Sequence, residues 1–261
     1  MKRSTRRRLT RIVLYLVLLL ALVLLLLGID WTAVKENFLD TGVLSSMWPE
    51  LVTIAAKNTI IYTVIAFVGG LAVALVLALM KLSAIGPYRW LATGYIEFFR
   101  GLPALVVIFA FALAVPLVLG RPLPYGTIGA GVIALIVVSA AYMAETLRAG
   151  IQAVPKGQVE AARSLGMNGL WTTISVVLPQ AFRIVIPPLT NELVLLIKDT
   201  SLLAAVGIAA GQRELTQYAR DVMSENANAT PLLAAAVMYL VITLPLTRLV
   251  AELERRQRRA R

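Results

Sequence analysis

Apolar and polar positions fall in long blocks along this chain, unlike the two-residue alternation of a half-buried strand or the narrow stripe of a soluble helix. Six blocks, at residues 12–27, 60–80, 102–119, 127–150, 189–210 and 232–250, are almost free of charge, and the stretches between them hold most of the polar residues. About 20 apolar residues in a helix cross about 30 Å of hydrocarbon, and inside a bilayer only a helix or a closed barrel satisfies its own backbone. The pattern predicts an all-α, polytopic membrane protein with six transmembrane helices. Pro187 and Pro188 are expected in the first turn of the fifth, where a missing N–H costs nothing, and Pro103, Pro116 and Pro245 are expected to kink the spans they fall in or near. Residues 88–100 are too polar to continue into the third span and read as an amphipathic helix along the inner surface.

Composition agrees with this reading and narrows the chemistry. Of 261 residues 59% are hydrophobic, and the mean hydropathy is +0.81, beyond the range of soluble domains. With no cysteine there is no disulfide framework, thiolate metal site or thiol nucleophile, and with no histidine the commonest general base is missing too. A net charge of +11 would suit a nucleic-acid binder if it formed a patch interleaved with aromatics. Here the cations sit at the ends of apolar blocks.

Their distribution sets an orientation. Six crossings leave both termini on one side, whose segments hold Lys2, Arg3, Arg6, Arg7, Arg8, Arg11, Lys81, Arg89, Arg148, Lys156, Arg163, Arg183, Arg248, Arg255, Arg256, Arg258, Arg259 and Arg261. The opposite side holds only Lys35, Lys57, Arg121, Arg213 and Arg220. The positive-inside rule then places both termini in the cytoplasm of a bacterial inner membrane. A basic start before an apolar stretch also describes a secretory signal, but no small-x-small cleavage site follows Leu27, so the first span reads as an uncleaved anchor. The expected organisation is residues 1–48, a basic N-terminus with an extra helix and an outer loop, then residues 49–261, the transport domain with a basic cytoplasmic tail.

The longest polar stretch expected in the cytoplasm is residues 154–183. Pro155 can open a helix, Glu160 lies in its early turns at the positive dipole end, Gly166 can end it, and Asn168 can cap a second helix running to Pro179. Ala161 and Ala162 between Glu160 and Arg163 would offer a plain surface to a partner's groove, or the loop could rest on lipid headgroups. Glu160-Ala161-Ala162, Gly166 and Val176-Val177-Leu178-Pro179 resemble the EAA loop of ATP-binding-cassette (ABC) importer permeases, with Val176 where that family usually has Ile. Glu97 to Pro103, Ala144 to Ile151 with Val154 to Gln158, and Ile197 to Leu202 are similar to the polar amino acid subfamily, with Leu102 replacing a more usual Thr. The resemblance runs over residues 49–256 in family order, outside the first span.

That resemblance implies two permease subunits, alike or different, two ATPase subunits and an extracytoplasmic solute-binding protein. Glu160, Ala161, Ala162, Arg163 and Gly166 would couple this chain to the ATPase. No glycine here is followed by lysine, so the chain has no phosphate loop of its own; ATP and Mg fall to the partner, and this chain is not an enzyme.

Inside the fifth span Lys198 and Asp199 sit near the middle, where each charge costs about 2.5 to 3.5 kcal/mol on insertion scales. Glu192 and Asp199 are two turns apart on one face, with Asn191 and Lys198 on the next. This polar stripe is either an interhelical network that fixes packing or the wall of a hydrated pathway offering both signs of charge to a zwitterion. Glu97 with Arg100, and Glu145 with Arg148, are spaced for local pairs and by their motifs for a gate or a strut. The pathway or gate set is Glu97, Arg100, Glu192, Lys198, Asp199, Thr200 and Ser201. An ion-coupled secondary transporter is the alternative; the two matched halves with interrupted helices common in such chains are not visible here.

Overall fold

The computed structural model of the chain describes residues 3–259, with side chains over residues 11–256. Lys2 and Arg261 lie outside the described residues, as do the side chains of Arg3, Arg6, Arg7, Arg8, Arg258 and Arg259. No strand occurs among the described residues. Helix α1 (Arg3–Leu27) is exposed along its whole described side-chain length, as befits a helix apolar on every face. Asp30 and Asp40 cap α2 (Trp31–Phe38) and α3 (Thr41–Glu50), each carboxylate accepting from two backbone N–H groups at 2.8 to 3.1 Å. A π-helical turn, Leu51–Ala56, carries α3 into α4 (Lys57–Leu82).

Next comes α5 (Gly86–Gly101), which packs on α4 and α8 through Ala92 and Ile96 and leaves Trp90, Leu91 and Phe98 exposed. The chain turns by 105° at Leu102 and Pro103 into α6 (Ala104–Phe109), a π-helical turn over Ala110–Ala114, and α7 (Val115–Leu119). Proline cannot donate to the preceding turn, so the bend falls where sequence placed it. α8 (Gly126–Gln152) is the central helix, and α9 (Lys156–Ser164) and α10 (Gly169–Thr172) form the polar loop after it. α11 (Leu178–Asp199), α12 (Leu215–Asn226) and α13 (Thr230–Arg259) complete the chain. By length and composition four stretches can cross a bilayer, 31–82, 126–152, 169–206 and 230–256; the bent pair 86–101 and 104–119 counts as a fifth where its two arms form one span, and the shorter apolar segment 11–27 matches the first expected block.

Two expectations need correcting. Pro187 and Pro188 do not open the fifth crossing; they lie inside α11. The second loop helix does not stop at Pro179 either, because a π-helical turn over Thr173–Val177 carries α10 into α11, with Pro179 in the first turn of α11. Irregular turns absorb carbonyls that a proline leaves unbonded, so one proline marks neither a start nor an end by itself. The helix accordingly ends earlier than the apolar run does. Asp199 is its last residue, followed by a 3-10 stretch, Thr200–Val206, and Gly207 at φ +71°.

Packing around α8 depends on small residues. Ala130, Ala134, Ala140, Ala141 and Ala144 are buried there, and Ala66, Ala74 and Ala78 are buried on facing α4. A methyl group built on Gly70 would come within 2.3 Å of the Ser139 hydroxyl, so the two backbones meet where no side chain fits between them.

At the end of the bundle that holds α2 and α12, the segment between α11 and α12 is strapped to α4. Asn58 Nδ2 donates to the carbonyls of Gly211 at 3.1 Å and Arg213 at 3.0 Å, Tyr62 Oη to that of Gln212 at 2.8 Å, and Leu215 N–H to Thr59 Oγ1 at 3.1 Å. Glu214 caps α12 from a fully buried position. Its oxygens accept from the N–H groups of Thr216 at 2.7 Å and Gln217 at 2.6 Å and from Tyr239 Oη at 2.9 Å. Burial pushes its pKa up, and these donors only partly offset the rise. A carboxyl with a raised folded-state pKa stabilises the fold below its ordinary value of about 4.3 and loses that contribution as pH rises through the folded value. The melting temperature of the detergent-purified protein should therefore fall over the range just above the ordinary carboxylate value. Glu214→Gln should lack that part of the fall; an unchanged profile in the variant would place the titration elsewhere.

Candidate functional site

A cavity of about 340 Å³ opens between α8, α11 and the bend before α6. It sits at the lower end of the range for small-ligand sites and has room for about ten waters at roughly 30 Å³ each. Leu102 and Ala104 line it from the bend, Leu135, Val138, Ser139 and Tyr142 from α8, and Glu192, Leu195, Leu196 and Asp199 from α11. Two of the polar lining residues, Glu192 and Asp199, were expected on one face from their spacing, and both reach the same cavity. The broken backbone at Leu102 and Pro103 is also explained: non-helical chain at membrane depth is tolerated where protein buries it or where it borders water.

Other members of the expected set take other positions. Arg100 places its guanidinium 5.5 Å from the centre of the Tyr142 ring, and Tyr142 Oη donates a long 3.4 Å bond to the Arg100 carbonyl. Among the described residues Glu97 does not pair with Arg100, and both are exposed. Lys198 is exposed on the neighbouring face of α11, outside the cavity lining. Thr200 is buried and donates from Oγ1 to the Ile197 carbonyl at 2.6 Å, while half-buried Ser201 belongs to the same 3-10 stretch. Thr200 therefore acts at the helix end. Ser139 and Tyr142 were missed from sequence. Their signal was available, since they bring the only hydroxyls into the otherwise apolar run of residues 128–144.

The polar loop is a built surface. α9 opens after Pro155 and ends in a left-handed Gly166 at φ +85°, with Gly166 N–H on the Arg163 carbonyl at 3.0 Å and Met167 N–H on that of Ala162 at 3.2 Å, the paired bonds of a Schellman cap. Arg163 Nη1 closes the turn on the Met167 carbonyl at 3.0 Å, and Asn168 caps α10 through the Trp171 N–H at 2.9 Å. The surface differs from the expected one in a single residue. Ala162 is only 5% exposed, because Val159 and Ala162 lie one turn apart on the inward face. Ala161 presents the exposed methyl group, flanked by exposed Glu160, Ser164 and Leu165, the last 85% exposed. A shallow groove lined by Gln152, Val154, Lys156 and Glu160 adjoins it.

Comparison with known proteins follows the same outline. Residues 70–259 match the family described as binding-protein-dependent transport system inner membrane component. The chain is 37% identical over 201 residues, 76% of its length and 89% of the relative's, to the probable glutamine ABC transporter permease of Bacillus subtilis strain 168. It is 35% identical to the L-cystine transport system permease of the same organism, covering 88% of this chain and 92% of that one. The crystal structure of an amino acid ABC transporter with histidines superposes with a TM-score of 0.75 at 35% identity, over 83% of this chain and 98% of that one. The methionine transporter in its inward-facing form shares the fold, with a TM-score of 0.64 at 21% identity.

Proposed function

The chain belongs to the family of inner membrane components of binding-protein-dependent transport systems, and from that premise we propose a division of labour within it: the cavity passes an amino acid, and α9 receives the force of ATP hydrolysis. It is a membrane-spanning permease subunit of an amino acid ABC importer. Family membership implies an ATPase and a binding protein in general terms. The finer arrangement proposed is a pair of permeases, each docking an ATPase at its α9 surface, with α9 and both termini in the cytoplasm and the binding protein at the α12 end. Asp199 and Glu192 would attract the cargo's amino group, and Arg100 beside Tyr142 its carboxylate. ATP and Mg would be held wholly by the ATPase. Residues 49–261 would form the transport domain, with the first helix as an anchor outside it.

The observation that carries this reading is the cavity itself, where two carboxylates from α11 face two hydroxyls from α8 beside a break in the backbone. Its test is reconstitution of the permease with its ATPase and its binding protein in proteoliposomes. ATP-dependent uptake of an amino acid against its gradient, absent when the ATPase is omitted, is the expected result. Uptake driven by a proton or sodium gradient without the ATPase would overturn it.

A further inference from the structure

A charge cluster in the described bundle lies just outside the cavity lining, near the loop end of α8. Glu145 Oε1 accepts from Lys81 Nζ, at the end of α4, and Glu145 Oε2 accepts from Arg148 Nε at 3.0 Å and Nη2 at 2.7 Å. Arg148 Nη1 in turn donates to Gln152 Oε1, on the last residue of α8 before the turn that leads into α9. All three ionic side chains are 17 to 29% exposed, so this pairing is partly shielded from water, where ion pairs weaken most.

Position gives the cluster its interest. Glu145 lies one turn beyond Tyr142, which lines the cavity, and one short helical stretch before the docking helix. Along their length α4 and α8 approach closely at Gly69 and Gly70, which lie against Ile136 and Ser139 of α8, and buried alanines line both helices there. The far end of α4 holds the strap of residues 211–215 through Asn58, Thr59 and Tyr62. Thus α4 is bonded at one end to the stretch of α8 that carries α9 and at the other to the segment closing the opposite end of the bundle.

We infer that Glu145 is a positioning residue for coupling: through Lys81 it fastens α4 to the loop end of α8, so that displacement entering at α9 reaches the strap at residues 211–215. The inference rests on the proposed docking role of α9. Close packing lets α4 and α8 pass displacement to one another, and the ionic tie at the end adds a fixed point. The cluster does not touch the cargo, so it acts on the ratio of ATP hydrolysed to amino acid moved more than on affinity.

The experiment uses the whole complex of permease, ATPase and binding protein in proteoliposomes, with ATP hydrolysed per amino acid imported as the readout. Glu145→Gln is expected to raise that ratio at least fivefold while the apparent KM for the loaded binding protein stays within twofold. The chain has no cysteine, so Lys81→Cys with Glu145→Cys can be bridged selectively by a short bis-methanethiosulfonate whose spacer replaces the two long side chains. Bridging should return the ratio to that of the wild type, and reduction should raise it again. An identical ratio in the bridged and reduced states overturns the inference, and this comparison within one molecule decides even if Glu145→Gln assembles poorly. Ala161→Trp, run in parallel, separates the two levels: if it uncouples while bridging has no effect, only the role of Glu145 fails, whereas if it transports normally the docking role of α9 fails.

Discussion

Tryptophan in place of Ala161 is expected to reduce amino acid uptake by at least thirtyfold while leaving insertion and thermal stability of the permease unchanged. Ala161 is exposed on α9, the Schellman cap at Gly166 holds the helix without using its side chain, and a surface substitution away from caps and cores is usually within about 0.5 kcal/mol of neutral. Within a docked groove the same indole meets a partner's backbone. Interface positions of this kind cost about 2 to 4 kcal/mol when disrupted, which corresponds to about 30- to 1,000-fold weaker docking. Uptake should fall together with ATPase retention on the membrane. Full uptake with the ATPase retained would remove α9 from the docking surface. Gly166→Trp is the less clean variant, because a side chain at φ +85° adds about 1 to 2 kcal/mol of strain to the cap itself.

Asp199→Asn should lower uptake at least tenfold, about 1.4 kcal/mol of lost interaction with the moving solute, with normal amounts of assembled complex. Asp199 and Glu192 both line the cavity, so removing one charge weakens the pull on a cationic group without opening a void. Membrane insertion should improve slightly, since a carboxylate within a span is unfavourable by up to about 3 kcal/mol. Lys198→Met is expected to cost less than threefold, because Lys198 is exposed beside the cavity and does not line it. Combining Glu192→Gln with Asp199→Asn should fall short of the product of the single effects if both charges serve one solute. A double variant transporting at the wild-type rate would reduce the pair to a packing network.

Much of the site was legible because spacing on a helix is geometry. Glu192 and Asp199 share a face whatever surrounds them, and Pro155, Gly166 and Asn168 each act through their own backbone or the next turn. Where spacing was read beyond its reach it misled. Glu97 and Arg100 had the interval of a salt bridge, yet among the described residues they do not pair, and the Arg100 guanidinium turns to the ring of Tyr142. Ala162, grouped with Ala161 by sequence, faces inward, because adjacent helical positions point about 100° apart.

By itself the sequence determined what hydration energy and chain connectivity decide: which stretches enter the bilayer, where charge collects between them, and the caps of the polar loop. These depend on each residue's own transfer cost and on neighbours within a turn. Only the tertiary structure decided where α11 ends, which of its charges meets the cavity, and that Lys81 joins Glu145 across two helices. Lys81 and Glu145 are far apart in the chain, and their meeting depends on glycine and alanine letting α4 approach α8 closely, a condition that depends on two surfaces fitting each other and is written in neither helix alone.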